Sequence, residues 1–206
     1  MNVAAPHTAI CPTLDTEVLT VLAGTTRPPT GREVARLTGR TSHGGVLDVL
    51  NRLTEHGLVD RQEAGRAFLF TLNHEHLAAP AVDVLAGMRT ELFERIRGAV
   101  GAWEITPIHM SVFGSTARGD GNTRSDIDLF IVRPSIVGQD DGRWRTQVDE
   151  LAGQIQRWTG NHAAIAEASA DELTSLHGTQ PPIVSELRSD AIVLSGPEIE
   201  FLLEGS

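Results

Sequence analysis

Val112-Phe113-Gly114-Ser115-Thr116-Ala117-Arg118-Gly119, followed by Ser125-Asp126-Ile127-Asp128-Leu129-Phe130-Ile131-Val132, decides the reading of this chain. The stretch reads as a strand, a Gly-Ser turn, a polar loop and a second strand. Asp126 and Asp128 are two residues apart, so on a strand both project from one face. Their carboxylates can converge there on a hard cation or a pair of cations. A Gly-Ser turn beside that face offers open backbone N–H groups and a hydroxyl, which suits a phosphate. Ile127, Leu129 and Ile131 form the opposite, apolar face, so this strand packs into a core. Carboxylates placed in such a strand cost free energy unless they bind an ion or accept hydrogen bonds. A phosphate cradle beside metal-binding carboxylates is the chemistry of phosphoryl or nucleotidyl transfer.

With Arg118-Gly119 and Ser125 in place, Gly114 to Leu129 resembles the signature of the polymerase-beta-like nucleotidyltransferases: Gly-Ser, a Gly, a short loop, then Ser-Asp-x-Asp-Leu. The resemblance runs from about Ala102 to the C-terminus. It implies a small α/β fold with a mixed sheet, a nucleoside triphosphate as substrate, and Mg²⁺. It assigns nucleotide binding to Gly114, Ser115, Arg118 and Ser125, and metal binding and catalysis to Asp126 and Asp128. In such enzymes two ions activate the acceptor hydroxyl and stabilise the leaving pyrophosphate. A third carboxylate on a later strand normally completes the site. Here that position reads as Ala164, and the nearest acid is Glu167. Period-two alternation puts Glu167 on the opposite face from Ala164. Glu167 is the third-ligand expectation if a bulge or register shift turns it round, and His162 is a further candidate beside it.

Composition bounds the rest. The chain has 206 residues, 40% hydrophobic, with a net charge of −10. That suffices for one large or two small domains, and the surface as a whole does not advertise nucleic acid. Residues 1–75 carry seven Arg against eight acids, and the remainder ten Arg against nineteen. The N-terminal part is therefore the better candidate for meeting a polyanion. There is no lysine and no tyrosine, which removes lysine from catalysis and suggests a GC-rich, bacterial genome. Cys11 stands alone, so an intrachain disulfide or a Cys-based metal site is excluded and a cytoplasmic protein is expected. The first residues show no signal-peptide pattern, and no apolar run is long enough to predict a membrane span.

The N-terminal half reads as three short helices and a hairpin. Val18, Leu19, Val21 and Leu22 mark the first helix. Thr30 caps the second, with Val34 and Leu37 inward. Thr41 or Ser42 caps the third, whose apolar positions are Val46, Leu47, Val49, Leu50 and Leu53, and Gly57 closes it. Leu58–Gln62 and Arg66–Leu72 then flank a turn. This order, with Gly31-Arg32-Glu33-Val34-Ala35-Arg36-Leu37-Thr38-Gly39, resembles the winged helix-turn-helix of MarR- or ArsR-type regulators. The resemblance implies double-stranded DNA as a partner. The third helix would enter the major groove, presenting Arg40, Thr41, Ser42 and His43, with Arg52 nearer the backbone. Arg61 and Arg66 of the wing would meet phosphates. The near-neutral charge equally fits a module for protein contacts or dimerisation.

The expected organisation is a winged-helix domain over 12–78, a linker helix over 80–103 and a nucleotidyltransferase domain over 104–206. On the linker helix Val84, Leu85, Met88, Leu92, Ile96 and Val100 form one stripe. Regulators of the resembled type often dimerise through such a helix, so a homodimer is expected. Trp144, Val148, Leu151 and Ile155 mark an amphipathic helix before the Ala163–Glu167 strand. His74-Glu75-His76 reads as a polar loop rather than a metal site. Three functions stay open. One is an active nucleotidyltransferase acting on an unidentified hydroxyl. The second is a DNA-binding regulator that only binds nucleotide. The third is a scaffold.

Overall fold

The computed structural model describes residues 1–39, 43–173 and 182–204. The chain divides into two compact units, Pro6–Met88 and Met1–Ala5 with Arg89–Ser206.

The first unit contains α1 (Leu14–Ala23), α2 (Gly31–Leu37), α3 (His43–Glu55), β1 (Val59–Ala64) and β2 (Ala67–Leu72). Thr30 opens α2 through a capping box: its hydroxyl accepts from the Glu33 N–H while Glu33 takes the Thr30 N–H. That reciprocal pair satisfies two of the donors a helix start leaves orphaned. The Thr30 N–H, the Arg27 guanidinium and the Thr30 hydroxyl, all donating to the Glu33 carboxylate, pull its pKa down to about 2. Leu37, expected inward with Val34, is exposed at the end of α2. Arg40, Thr41 and Ser42 lie outside the described residues, so the expected cap of α3 does too. Strands β1 and β2 pair antiparallel from Val59↔Leu72 to Ala64↔Ala67. Gly65, at φ 63°, supplies the left-handed backbone this tight turn needs. Val18, Val34, Val46, Leu50, Leu53, Val59 and Phe70 close one core.

Helix α4 (Ala79–Gly101) starts in this unit and ends in the next. Its apolar stripe differs from the sequence expectation. Val84 is 69% exposed, whereas Val82 is buried in the first core and Phe93 joins Leu92, Ile96 and Val100 in the second. A single straight stripe assumes one core, and this helix serves two.

The second unit is a four-stranded mixed sheet, β5-β4-β3-β6, with β3 His109–Val112, β4 Ile127–Arg133, β5 Ala163–Ser169 and β6 Ile192–Ser195. β3 runs antiparallel to β4 and to β6, and β4 runs parallel to β5. β4 is central, which explains its near-continuous apolar run. Its side chains alternate between two cores. Ile127, Leu129 and Ile131 meet α4 and α6 (Gly142–Thr159) through Ile96, Trp144, Val148, Leu151 and Ile155. Phe130 and Val132 meet α7 (Pro182–Asp190) and α8 (Ile199–Glu204) through Val184, Leu187 and Ile199. Asp141 caps α6 by accepting the Arg143 and Trp144 N–H groups.

His109 is fully buried on the α7 side of β3, its Nδ1 2.8 Å from the Pro197 carbonyl and its Nε2 3.0 Å from Ser111 Oγ. The carbonyl can only accept, so Nδ1 carries the proton and Nε2 accepts from the serine. Burial pushes the His109 pKa down, consistent with a neutral ring. Among the described residues no helix is long and apolar enough to cross a membrane.

Candidate functional site

The Gly-Ser segment is not a plain turn. Gly114–Arg118 forms a five-residue helix, α5, between β3 and β4. Phe113 leads into it with extended backbone, its N–H bonded to the Asp128 carbonyl at 3.1 Å. Gly114 has φ 64°, and a Cβ there would lie 2.8 Å from Asp128 Oδ2. A side chain here would be strained by the backbone and would push the carboxylate aside, and glycine avoids both. Gly119 ends α5 in a left-handed conformation, and the Gly119 and Asp120 N–H groups fold back to the Ser115 carbonyl.

Loop 119–126 returns over α5. A Cβ on Gly121 would lie 3.2 Å from Ser115 Oγ and 3.6 Å from Ser125 Oγ, so the two hydroxyls flank one glycine. Ser125 Oγ accepts the Asn122 N–H at 2.9 Å, which makes it part of the loop's own turn. Asp126 sits just before β4 with its backbone fixed from three sides. Asn161 Nδ2 donates to the Ser125 carbonyl at 2.9 Å, Thr116 Oγ1 to the Asp126 carbonyl at 3.4 Å, and the Ile127 N–H to the His162 carbonyl at 2.9 Å. His162 contributes that carbonyl, and its ring is exposed. Neither Asn161 nor Thr116 stands out in the sequence, because each acts through a long-range backbone contact.

Asp126 is exposed and Asp128 half-buried. Burial raises the Asp128 pKa, the Asp126 and Glu186 charges raise it further, and Arg118 opposes them. This is a carboxylate pair short of positive charge, and a hard divalent cation with oxygen ligands suits that donor set. Among the described residues no group of three or more His, Cys, Asp or Glu is arranged to hold a metal ion.

One expected site residue is placed on the other face of the sheet, and another is held by two carboxylates. Glu167 is the correction. β5 pairs with β4 without a bulge, Asp128↔Ala164 through Ile131↔Glu167 to Arg133↔Ser169. Ala164 thus stands beside Asp128, and Glu167 projects from the other face. There it accepts the Trp144 Nε1–H at 2.7 Å, with Arg145 Nη1 at 3.9 Å and only 11% of its side chain exposed. Glu167 therefore anchors α6 and cannot join Asp126 and Asp128. Arg118, expected on the triphosphate, is bound by Asp190 of α7 at 2.6 Å and by Asp120 at 3.1 Å. It lies near enough to Asp128 to lower that carboxyl's pKa, and it holds two carboxylates of its own.

In the first unit His43 begins α3 and is exposed. Arg52 pairs with Asp15. Arg61 lies over the Phe68 ring at 4.7 Å and reaches Asn51 Oδ1 at 3.4 Å. Arg66 is exposed in the hairpin turn. His74 lies 3.7 Å from Asp83, and His76 Nδ1 accepts the Ala78 N–H, so both belong to a loop.

Residues 94–165 match the family model of the nucleotidyltransferase domain. The matched span holds α5, both aspartates and the first residues of β5, and it supports a polymerase-beta-like domain in this part of the chain. No curated protein and no solved structure matches the chain.

Proposed function

We propose that this protein is a Mg²⁺-dependent nucleotidyltransferase that moves a nucleoside monophosphate from an NTP to an acceptor hydroxyl. The observation that supports the reading is the left-handed turn at Gly114 beside Asp128, where a Cβ would lie 2.8 Å from a carboxylate short of positive charge. Asp126 and Asp128 would hold Mg²⁺, which would supply charge neutralisation and orientation for the triphosphate. Gly114 and Ser115 would take phosphate oxygens through backbone N–H groups and the hydroxyl, with Ser125 ordering the loop above them. Arg118 would trade Asp190 for a phosphate oxygen on substrate entry. In the transfer the acceptor oxygen bonds to the α-phosphorus and the bond to the bridging oxygen breaks. Pyrophosphate leaves, and the hydroxyl proton passes to solvent.

Calorimetric titration of ATP, GTP, CTP and UTP with and without Mg²⁺, into wild type and the Asp126→Asn/Asp128→Asn double variant, tests this. Mg²⁺-dependent binding that the double variant abolishes supports it. Wild type that binds none of the four sinks it.

A second reading is favoured by Ala164 standing where a third carboxylate would complete the site. The domain would then bind nucleotide without turnover and serve a DNA-reading module. The helices α1, α2 and α3 with the β1–β2 hairpin fit a winged helix-turn-helix, with His43, Arg52, Arg61 and Arg66, and beyond the described residues Arg40, Thr41 and Ser42, as its contacts to DNA. Nucleotide binding without pyrophosphate release, together with a gel shift of DNA from upstream of its own gene, would favour this reading over the first.

A further inference from the structure

Arg89 lies within α4 and begins the Arg89–Ser206 stretch of the second unit. Its Nη2 donates to the carbonyls of Thr116 at 2.9 Å and Ala117 at 2.7 Å. These belong to the last turn of α5, where a short helix leaves its C=O groups without intrahelical donors. A cation there also meets the negative end of the local peptide dipoles. The guanidinium lies over the Phe93 ring at 5.2 Å. Its Nε is buried without a hydrogen-bond partner among the described residues. Among those residues no carboxylate forms an ion pair with it, in contrast to Arg118 of α5, which has two.

A half-buried guanidinium that lacks an acid and leaves its buried Nε donor unmet is costly. A simple helix stop needs no such group, since Gly119 already closes α5. What Arg89 adds is a tie from α4 to the segment that carries Gly114 and Ser115. That segment runs close beside Asp128, where a Cβ on Gly114 would lie 2.8 Å from the carboxylate.

We propose that Arg89 is a positioning residue that fixes α5, so that the Gly114–Ser115 turn stays seated beside Asp128. It touches no reacting atom. Its consequence for nucleotide binding rests on the function proposed above, whereas its hold on α5 does not.

The test uses the full chain with Arg89→Met, which keeps packing over Phe93 and removes the donors, and Arg89→Lys, which keeps a charged donor. Amide hydrogen exchange is followed at Gly119 and Asp120, whose N–H groups close α5, and at Met110 and Ile131 in the sheet. In Arg89→Met the first two amides are expected to exchange about tenfold faster or more, as for loss of charge-assisted hydrogen bonds, with the sheet unchanged. Arg89→Lys restores part of that protection. Unchanged exchange at Gly119 and Asp120, or a rise no larger than in the sheet, overturns the proposal. Should Arg89→Met fail to fold, Arg89→Lys against wild type carries the same comparison. Mg·ATP titration then separates the two claims. A loss of affinity in Arg89→Met that Arg89→Lys recovers supports both. Wild type without affinity overturns the nucleotide reading and leaves the exchange data to decide Arg89.

Discussion

β4 and β5 lie side by side, parallel and in unbroken register over seven residues, yet they treat their acids in opposite ways. β4 turns Asp128 to the face that α5 approaches, where burial and the Asp126 charge leave it poorly compensated. β5 sets Ala164 beside it and turns Glu167 to the other face, where Trp144 Nε1 satisfies it. Glu167 lies three positions after Ala164, and on a strand an odd step changes face. Parity alone decides which face of the sheet each of these two residues takes.

The strongest way to break this comparison is Asp128→Asn. Mg²⁺-dependent NTP binding and pyrophosphate release should fall about 10³-fold, the several kcal/mol a divalent ion contributes. Stability should move the other way. The folded pKa of Asp128 is raised from 3.8, so the native state holds its proton more tightly than the unfolded chain does. Wild-type stability therefore declines as pH rises from 3.8 through the folded pKa, and the deficit is complete above it. Asparagine has no such deficit, so the metal-free variant should melt higher than wild type at about pH 7 and lose that advantage near pH 3. Thermal melts across that range check the sign. Added Mg²⁺ should stabilise wild type and leave the variant unmoved.

Gly114→Ala attacks the same contact from the other side. A left-handed backbone costs an L-residue about 1–2 kcal/mol, and the new methyl must also displace the Asp128 carboxylate. A lower melting temperature together with weaker nucleotide binding is expected. A drop in stability with nucleotide affinity intact would separate the turn from the site.

Ala164→Asp sharpens the comparison by giving β5 what β4 has. Ala164 is exposed and directly paired with Asp128, so the added carboxylate needs no core space. Mn²⁺ affinity should rise about tenfold, since charge count tunes such sites. No gain in Mn²⁺ binding would mean that the cation is held away from this pair of strands.

Much of the site is legible in the sequence, and for physical reasons. The Asp-x-Asp pair within an apolar strand signals a cost that needs an ion, and alternation alone sets Glu167 against Ala164. The strand register is not legible, because a single bulge between β4 and β5 would turn Glu167 toward the aspartates. Helix α5 escapes pattern reading because five residues starting Gly-Ser have the composition of a turn. Arg89 carries no local signal, since its partners lie 27 and 28 residues away. Val84 falls on the expected inward stripe because helical periodicity cannot show that α4 passes from one core to another.

The smallest expected effect is at Glu167, and it is the most discriminating. Glu167→Gln keeps an oxygen for Trp144 Nε1 and gives up only a 3.9 Å ion pair to a half-exposed Arg145. Stability should change by no more than about 1 kcal/mol. Glu167→Ala removes the acceptor from a fully buried Trp144 and should cost about 1–3 kcal/mol. Neither change should alter the Mg²⁺ dependence of nucleotide binding, because the sheet lies between Glu167 and the aspartates. If Glu167→Gln abolished that dependence while the protein melted normally, the acid would have to reach the site by a strand shift absent from this register. The division of labour between β4 and β5 would then fail at its root.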